Sequence, residues 1–250
     1  MLATYQQNTQ DLLQLPAAPT LLYPLPSLTR WINLARGQLA GEGECIRVAA
    51  TIPTVVGQRA YNFSTLNTGV SATNGVAGAI HVRRISYNLG TGQRWVTPRP
   101  WPWFEIYNLN NPNPVKGTPA TWAVYGQGSS STSTGSASSG SFYLDPPPDA
   151  IYTLNCDCVC YPIPLVDDTT VEAIPYLWTD AVPFFSAYYA LLSSQTNARQ
   201  ADAERYLKIY ETYVDRARKA ANPSVLRWQY EQAGDPVQGN KIALQKATGG

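Results

Sequence analysis

Three cysteines alternate in the run Thr153-Leu154-Asn155-Cys156-Asp157-Cys158-Val159-Cys160, and with Cys45 and the single histidine, His81, they make up the soft-ligand chemistry of the chain. Alternate residues of a strand share one face and stand about 6.6–6.8 Å apart. That spacing suits three small side chains buried on one face. A disulfide between neighbours needs Cα atoms nearer about 5.5–6 Å, and a zinc site usually draws four ligands from Cys-x2-Cys pairs. The run is therefore read as reduced structural thiols, with metal binding and disulfide bonding as the alternatives. His81 lies in an alternating stretch beside Arg83 and Arg84. Catalysis there would need a nucleophile or a carboxylate partner, and the neighbouring sequence supplies neither. Asp167-Asp168 read as a cap or solvated turn, with a metal-binding carboxylate pair as the alternative, and Glu42 and Glu44 read in the same way. Phosphate-cradling, dinucleotide-binding and nucleophile-elbow motifs are absent from the sequence. No catalytic, cofactor-binding or metal-ligating residue is assigned, and the chain is not expected to be an enzyme.

The aromatic residues point to contact rather than bond-making. Trp95, Trp101, Trp103, Phe104 and Tyr107 are interleaved with Pro98, Pro100 and Pro102. Such a cluster can cap a core, anchor a protein interface or stack sugars. A second group, Arg227, Trp228 and Tyr230, opens a tail too poor in apolar residues to fold alone. Trp, Tyr and Arg are the types most enriched at interface hot spots. The residues nominated for partner binding are Trp101, Trp103, Arg227, Trp228 and Tyr230. A tail folded back on the body is the other reading of the last three.

Composition narrows the class. Charged residues make up 14% of the 250 residues, against roughly 25% in an average domain. The surface must be polar through Ser, Thr, Asn and Gln, or be covered by other subunits. A net charge of +1 gives no general affinity for nucleic acid. No run of about 20 apolar residues is present to span a membrane. The first ten residues lack the basic and apolar regions of a secretory signal, so the protein is expected to stay in the cytoplasm where it is made.

Periodicity then arranges the elements that carry these residues. Leu28, Trp31, Ile32, Ala35 and Leu39 recur at helical spacing after Ser27, a candidate N-cap, and Gly41 and Gly43 follow. From 44 to 164 the pattern is β-like, with strands expected at 45–52, 58–63, 80–87, 93–96, 121–125, 141–144 and from 151 onward. Residues 101–107 read as an aromatic turn or short helix. The Ser-rich stretch 126–141 reads as a loop tip. After Pro164 the helical period returns: Leu177 to Leu192 give a broad apolar face that Pro183 should kink or split. Ala203, Tyr206, Leu207, Tyr210, Val214 and Ala217 form the stripe of a last helix. The expected fold is α+β: a helical bundle, with one N-terminal and two long C-terminal helices, carrying a large antiparallel β-sandwich or barrel-like insertion. The expected divisions are an arm over 1–25, a helical body at 26–43 and 165–222, the β insertion at 44–164 and an extended tail at 223–250.

The order of these parts resembles the head-to-tail adaptor proteins of short-tailed bacteriophages, the tail-tubular-A-like group. A helix in P-S-L-T-R-W-I-N-L-A-R-G-Q-L-A leads into strands. Gly117, Pro119, Trp122 and Val124 match that group's G-x-P-x-x-W/Y-x-V segment, and Leu144, Pro146, Pro148 and Tyr152 match its Leu-x-Pro-x-Pro strand with a following Tyr. The resemblance covers roughly residues 26–221. It implies a virion protein, made in the host cytoplasm, that forms a closed ring of about twelve copies beneath the portal. Its implied partners are the portal protein and tail nozzle, tube or fibre proteins. The resemblance further implies that double-stranded DNA passes through without sequence-specific binding. The competing reading is a carbohydrate-binding β-module of a receptor-binding or cell-wall protein, which would explain the Trp cluster but not the paired amphipathic helices.

Overall fold

The computed structural model describes residues 1–14, 23–68, 74–90, 92–106, 114–126, 140–193 and 199–221. Residues 127–139 of the Ser-rich stretch and the nominated Arg227, Trp228 and Tyr230 lie outside them. Helices α1 (Leu2–Leu13), α2 (Leu25–Gly43), α4 (Ala181–Ser193) and α5 (Gln200–Ala221) form the helical part. Strands β1 (Arg47–Pro53), β2 (Ala60–Asn62), β3 (Val76–Asn88), β4 (Gln93–Pro98), β5 (Thr121–Tyr125), β6 (Ser141–Asp145) and β7 (Thr153–Pro162), with the short α3 (Trp101–Phe104), form the rest. Among the described residues no helix is long and apolar enough to cross a membrane.

Each helix follows from its local chemistry. Helix α2 starts at Leu25, two residues ahead of the expected Ser27 cap, because Pro26 stands in its first turn, where the fixed φ fits and no N–H is needed. It runs through both glycines and stops where Glu44 turns left-handed, at φ 50°. Leu28, Ile32, Ala35 and Leu39 are wholly buried along one side, each Leu or Ile adding about 1.5–3 kcal/mol. Pro183 neither kinks nor splits α4: the helix begins at Ala181, so the proline falls in the first turn. Residues 176–178 form a separate 3-10 turn before it. The stretch expected as an arm begins as a helix. Leu2, Tyr5, Thr9 and Leu13 recur at helical spacing and are buried, and α1 packs on α4 and α2.

The seven strands form one curled sheet in the order β1-β7-β3-β4-β5-β6-β2. All pairings are antiparallel except β4–β5, which is parallel over two residue pairs, Thr97 with Thr121 and Pro98 with Trp122. Pro98 has no N–H to extend that ladder. Thr51 of β1 and Asn67, which follows β2, exchange backbone hydrogen bonds of 3.0 and 3.2 Å. That bridge draws the two ends of the sheet toward each other and gives a half-barrel. Its interior holds Trp122, Phe142, Leu144, Ile85 and Leu154, and one hydrophobic cluster continues from them into the helices. Cys156, Cys158 and Cys160 all face this interior, at most 1% exposed, and all are free thiols. Burial pushes the Cys156 and Cys160 thiols up to about 12, and that of Cys158 at least as strongly.

A buried ion pair joins helices to sheet. Arg36, on the inner side of α2, is wholly buried, and its guanidinium grips the Glu172 carboxylate at 2.8 and 2.9 Å. Its remaining nitrogen donates to the carbonyl of Ile163 at 2.8 Å and to Asn33. Asn33 in turn donates to Leu165 O and accepts from Leu165 N. The connection from β7 to α4 is thereby pinned to α2 along its length. The same connection presses on the start of β3. Gly75 sits at φ +68°, and a Cβ there would meet Val171 O at 2.5 Å, so only glycine fits.

Candidate interaction surfaces

Among the described residues no group of three or more His, Cys, Asp or Glu side chains is placed to hold a metal ion. His81 lies 3.8 Å from Glu44, itself paired with Arg83 at 3.3 Å. Burial lowers the His81 pKa against the pull of Glu44, which keeps the ring neutral near pH 7. The groove between α1, α4 and α5, about 430 Å³, is lined by Leu12, Pro183, Phe184 and Tyr213 with Asn8, Asp11 and Asp180. Apolar walls with carboxylates suit a contact more than bond-making.

The nominated tryptophans lie on the outer side of the sheet. In β5 and β6 the inward residues are Trp122, Val124, Phe142 and Leu144, so Ala123, Tyr125 and Tyr143 point outward. Helix α3 covers them. Trp101 stacks on Phe104 and meets Tyr125 and Tyr143 with ring centroids 4.6 and 4.9 Å away. Phe104 is wholly buried. Trp101 is thus half-buried in a small outer aromatic cluster. Trp103 is held differently: the Arg99 guanidinium lies 5.1 Å above its ring, a cation–π contact that presents a flat, positively charged plate. Trp95, on β4 and paired with Ser86, is 60% exposed. Arg94, its neighbour on β4, pairs with the buried Tyr87 and lies on the core-facing side of the strand, opposite to Trp95.

Two further apolar surfaces escape sequence reasoning. Tyr176 and Leu177 are 86% and 75% exposed at the tip of the 3-10 turn, although helical periodicity puts Leu177 on a buried face. The signal was present: Asp180 immediately precedes α4 and Pro183 stands in its first turn, the marks of a helix start. The second surface is a rim at the far end of the sheet. There the loops 54–58, 114–119 and 146–152 are woven together by backbone bonds, with Thr54 N donating to Tyr152 O, Gly57 N to Pro148 O and Gly117 N to Pro147 O, each at 2.8–2.9 Å. Val55, Val115 and Ile151 project from it into solvent.

At the opposite end, Ala221 closes α5. Its carbonyl accepts from Arg47 at 2.8 Å and Arg83 at 3.1 Å, cations placed where the helix dipole is negative. Arg47 also pairs with Asp157. Arg218, in the last turn of α5, donates to Glu42 O of α2 at 3.0 Å. The last described residue is therefore fixed to two strands.

A family model for the SU10 adaptor protein matches residues 2–232. The chain belongs to the SU10 adaptor family. The match takes in α1, the helical body and the half-barrel together. It also extends past Arg227, Trp228 and Tyr230, beyond the 26–221 range of the resemblance read from motifs. As a member of the SU10 adaptor family the protein is a bacteriophage structural protein of the head-to-tail adaptor kind, a virion component that associates with portal and tail proteins. No curated protein matches the chain.

Proposed function

We propose that this SU10 adaptor assembles as a ring of about twelve copies between portal and tail, with its helical body as the wall around the passing DNA. The observation that carries the reading is the family match over residues 2–232. Three features support it. Charge is low for a chain of this size, as expected where neighbours cover much of each subunit. Large apolar side chains stand exposed at three separate places, more than a lone soluble subunit needs. The near-neutral net charge suits a passage that lets DNA slide, because a dense Lys/Arg lining would hold phosphates. The rim of Val55, Val115 and Ile151 is the surface we assign to tail partners. The carbohydrate-module alternative leaves the paired amphipathic helices and the family match over residues 2–232 without an explanation.

The tail 223–250, with Arg227, Trp228 and Tyr230, is assigned to portal contact. Ending the chain at Asn222 should leave far-ultraviolet dichroism per residue of the body unchanged and weaken portal binding at least tenfold, about 1.4 kcal/mol. Trp228→Ala alone should give a good part of that loss. Undiminished binding by the truncated chain would move the portal contact to the helices.

A further inference from the structure

We propose that helix α5 of one copy pairs with α5 of the next copy in the ring, the cationic flank of its exposed face against the anionic flank of its neighbour's. The inference rests on the ring reading and names the contact that sets its register. Helix α5 buries Ala203, Tyr210, Val214 and Ala217 against its own subunit. On the opposite side a shallow hollow of about 780 Å³ is lined by α5 residues alone, so among the described residues no other element covers it. That side is charged, and the charges are sorted. At about 100° per residue, Arg205, Lys208, Arg216 and Lys219 fall within one arc of about 80°, and Glu204, Glu211 and Asp215 within an adjoining arc of about 40°. All of these side chains are exposed. The anionic arc borders the flank that meets α2, where Arg218 donates to Glu42 O. The cationic arc borders the flank that meets α1, where Tyr206 donates to Leu12 O at 2.7 Å and Tyr213 faces the groove shared with Leu12.

These charges are not spent within the chain. Glu204 and Lys208, and Asp215 and Lys219, stand at the spacing of a helical ion pair, yet among the described residues none of the charges in the two arcs takes part in an ion pair. A cationic row beside an anionic row on one helix is complementary to the same helix in another copy. In a cyclic ring, equal positions lie at equal heights. With α5 along the ring axis, Arg205 of one copy stands within about 1.5 Å of the height of Glu204 of the next, Arg216 within about 1.5 Å of Asp215, and Lys208 between Glu204 and Glu211. The two flanks are different patches, so the contact is heterologous, the kind that closes into a ring when its rotation allows. Exposed pairs of this kind choose the partner and fix the register more than they add affinity. The cations then meet carboxylates rather than phosphates, in keeping with a passage that lets DNA slide.

The test uses two charge-reversed full chains, Arg205→Glu/Arg216→Glu and Glu204→Lys/Asp215→Lys, compared with the unaltered chain by mass measurement, alone and with its portal protein. Each variant alone should lose assembly at least tenfold, since the facing flanks then carry like charge. Their equimolar mixture should regain it, because every contact in an alternating ring pairs opposite charges. Recovery in the mixture also shows that both variants fold. Raising salt from about 0.1 M to about 1 M should weaken assembly of the unaltered chain, and the milder Arg205→Gln/Arg216→Gln should flatten that dependence. Rings formed by either reversed variant alone as readily as by the unaltered chain would overturn the inference while leaving the ring reading intact. So would a mixture that stays unassembled or stops at pairs, or the same salt dependence in the Gln variant as in the unaltered chain. An unaltered chain that stays monomeric with portal would overturn both.

Discussion

Replacing Arg36 with alanine is expected to cost about 3–5 kcal/mol of folding stability, the range for breaking a buried ion pair. The guanidinium is completely enclosed and spends its donors on Glu172, Ile163 O and Asn33. Its removal strands the Glu172 carboxylate beside the phenol of Tyr5, which burial and then Glu172 itself hold well above its usual ionisation range. The buried negative charge would lose its cation and keep only neutral neighbours, the Ile174 N–H at 2.9 Å and the phenol of Tyr5. Removing both charges together should be far milder. The double change Arg36→Met/Glu172→Leu replaces the pair with apolar groups, often neutral in effect, so the two single losses should not add. Urea unfolding of the two single variants and the double variant reads this directly. A loss below about 1 kcal/mol for Arg36→Ala would show that the pair is better solvated than its burial implies.

The thiols of β7 predict a loss of stability in alkali of similar size. In the unfolded chain they ionise near their ordinary value of 9.0, whereas burial in the half-barrel raises Cys156 and Cys160 to about 12 and Cys158 at least as far. The folded protein keeps these protons while the unfolded chain releases them. The stability they protect is complete below about pH 8.5 and drains as pH rises toward 12. At pH 10 the three thiols together should account for roughly 4 kcal/mol. The urea midpoint should fall between pH 8 and pH 10, and a chain with all three replaced by alanine should show a much shallower fall from a lower starting point. An equal slope in both would assign the alkaline loss to other groups, such as the buried Tyr5 and Tyr210.

Most of the fold could be read from periodicity, because core-facing positions repeat at fixed intervals. The stripe Leu28, Ile32, Ala35, Leu39 and the stripe Ala203, Tyr210, Val214, Ala217 both pack as their spacing requires. Each strand expected between 45 and 162 is present, the β3 and β7 spans being longer than their alternation suggested. What escaped depends on partners distant in sequence. Arg36 occupies an apolar-phase position of α2, and only the approach of Glu172, 136 residues away, makes it tolerable there. The α1 face was hidden by its many glutamines, since Leu2, Tyr5 and Leu13 are few and widely spaced. The tip at Tyr176–Leu177 was masked by a helical pattern that continues through it, while the real helix begins only at Ala181. The Trp cluster was visible as a group of residue types, but the packing of Trp101 follows from which face of β5 and β6 α3 covers, and the exposure of Trp95 from its place on β4.

Electron microscopy of portal incubated with the full-length chain tests most directly whether this adaptor works as a closed ring on the portal. End views should show one added ring of about twelve equivalent subunits around an open channel, and side views the half-barrels projecting from a helical wall. Portal particles that carry no added density, or one or two copies at a single side with no rotational symmetry, would contradict it.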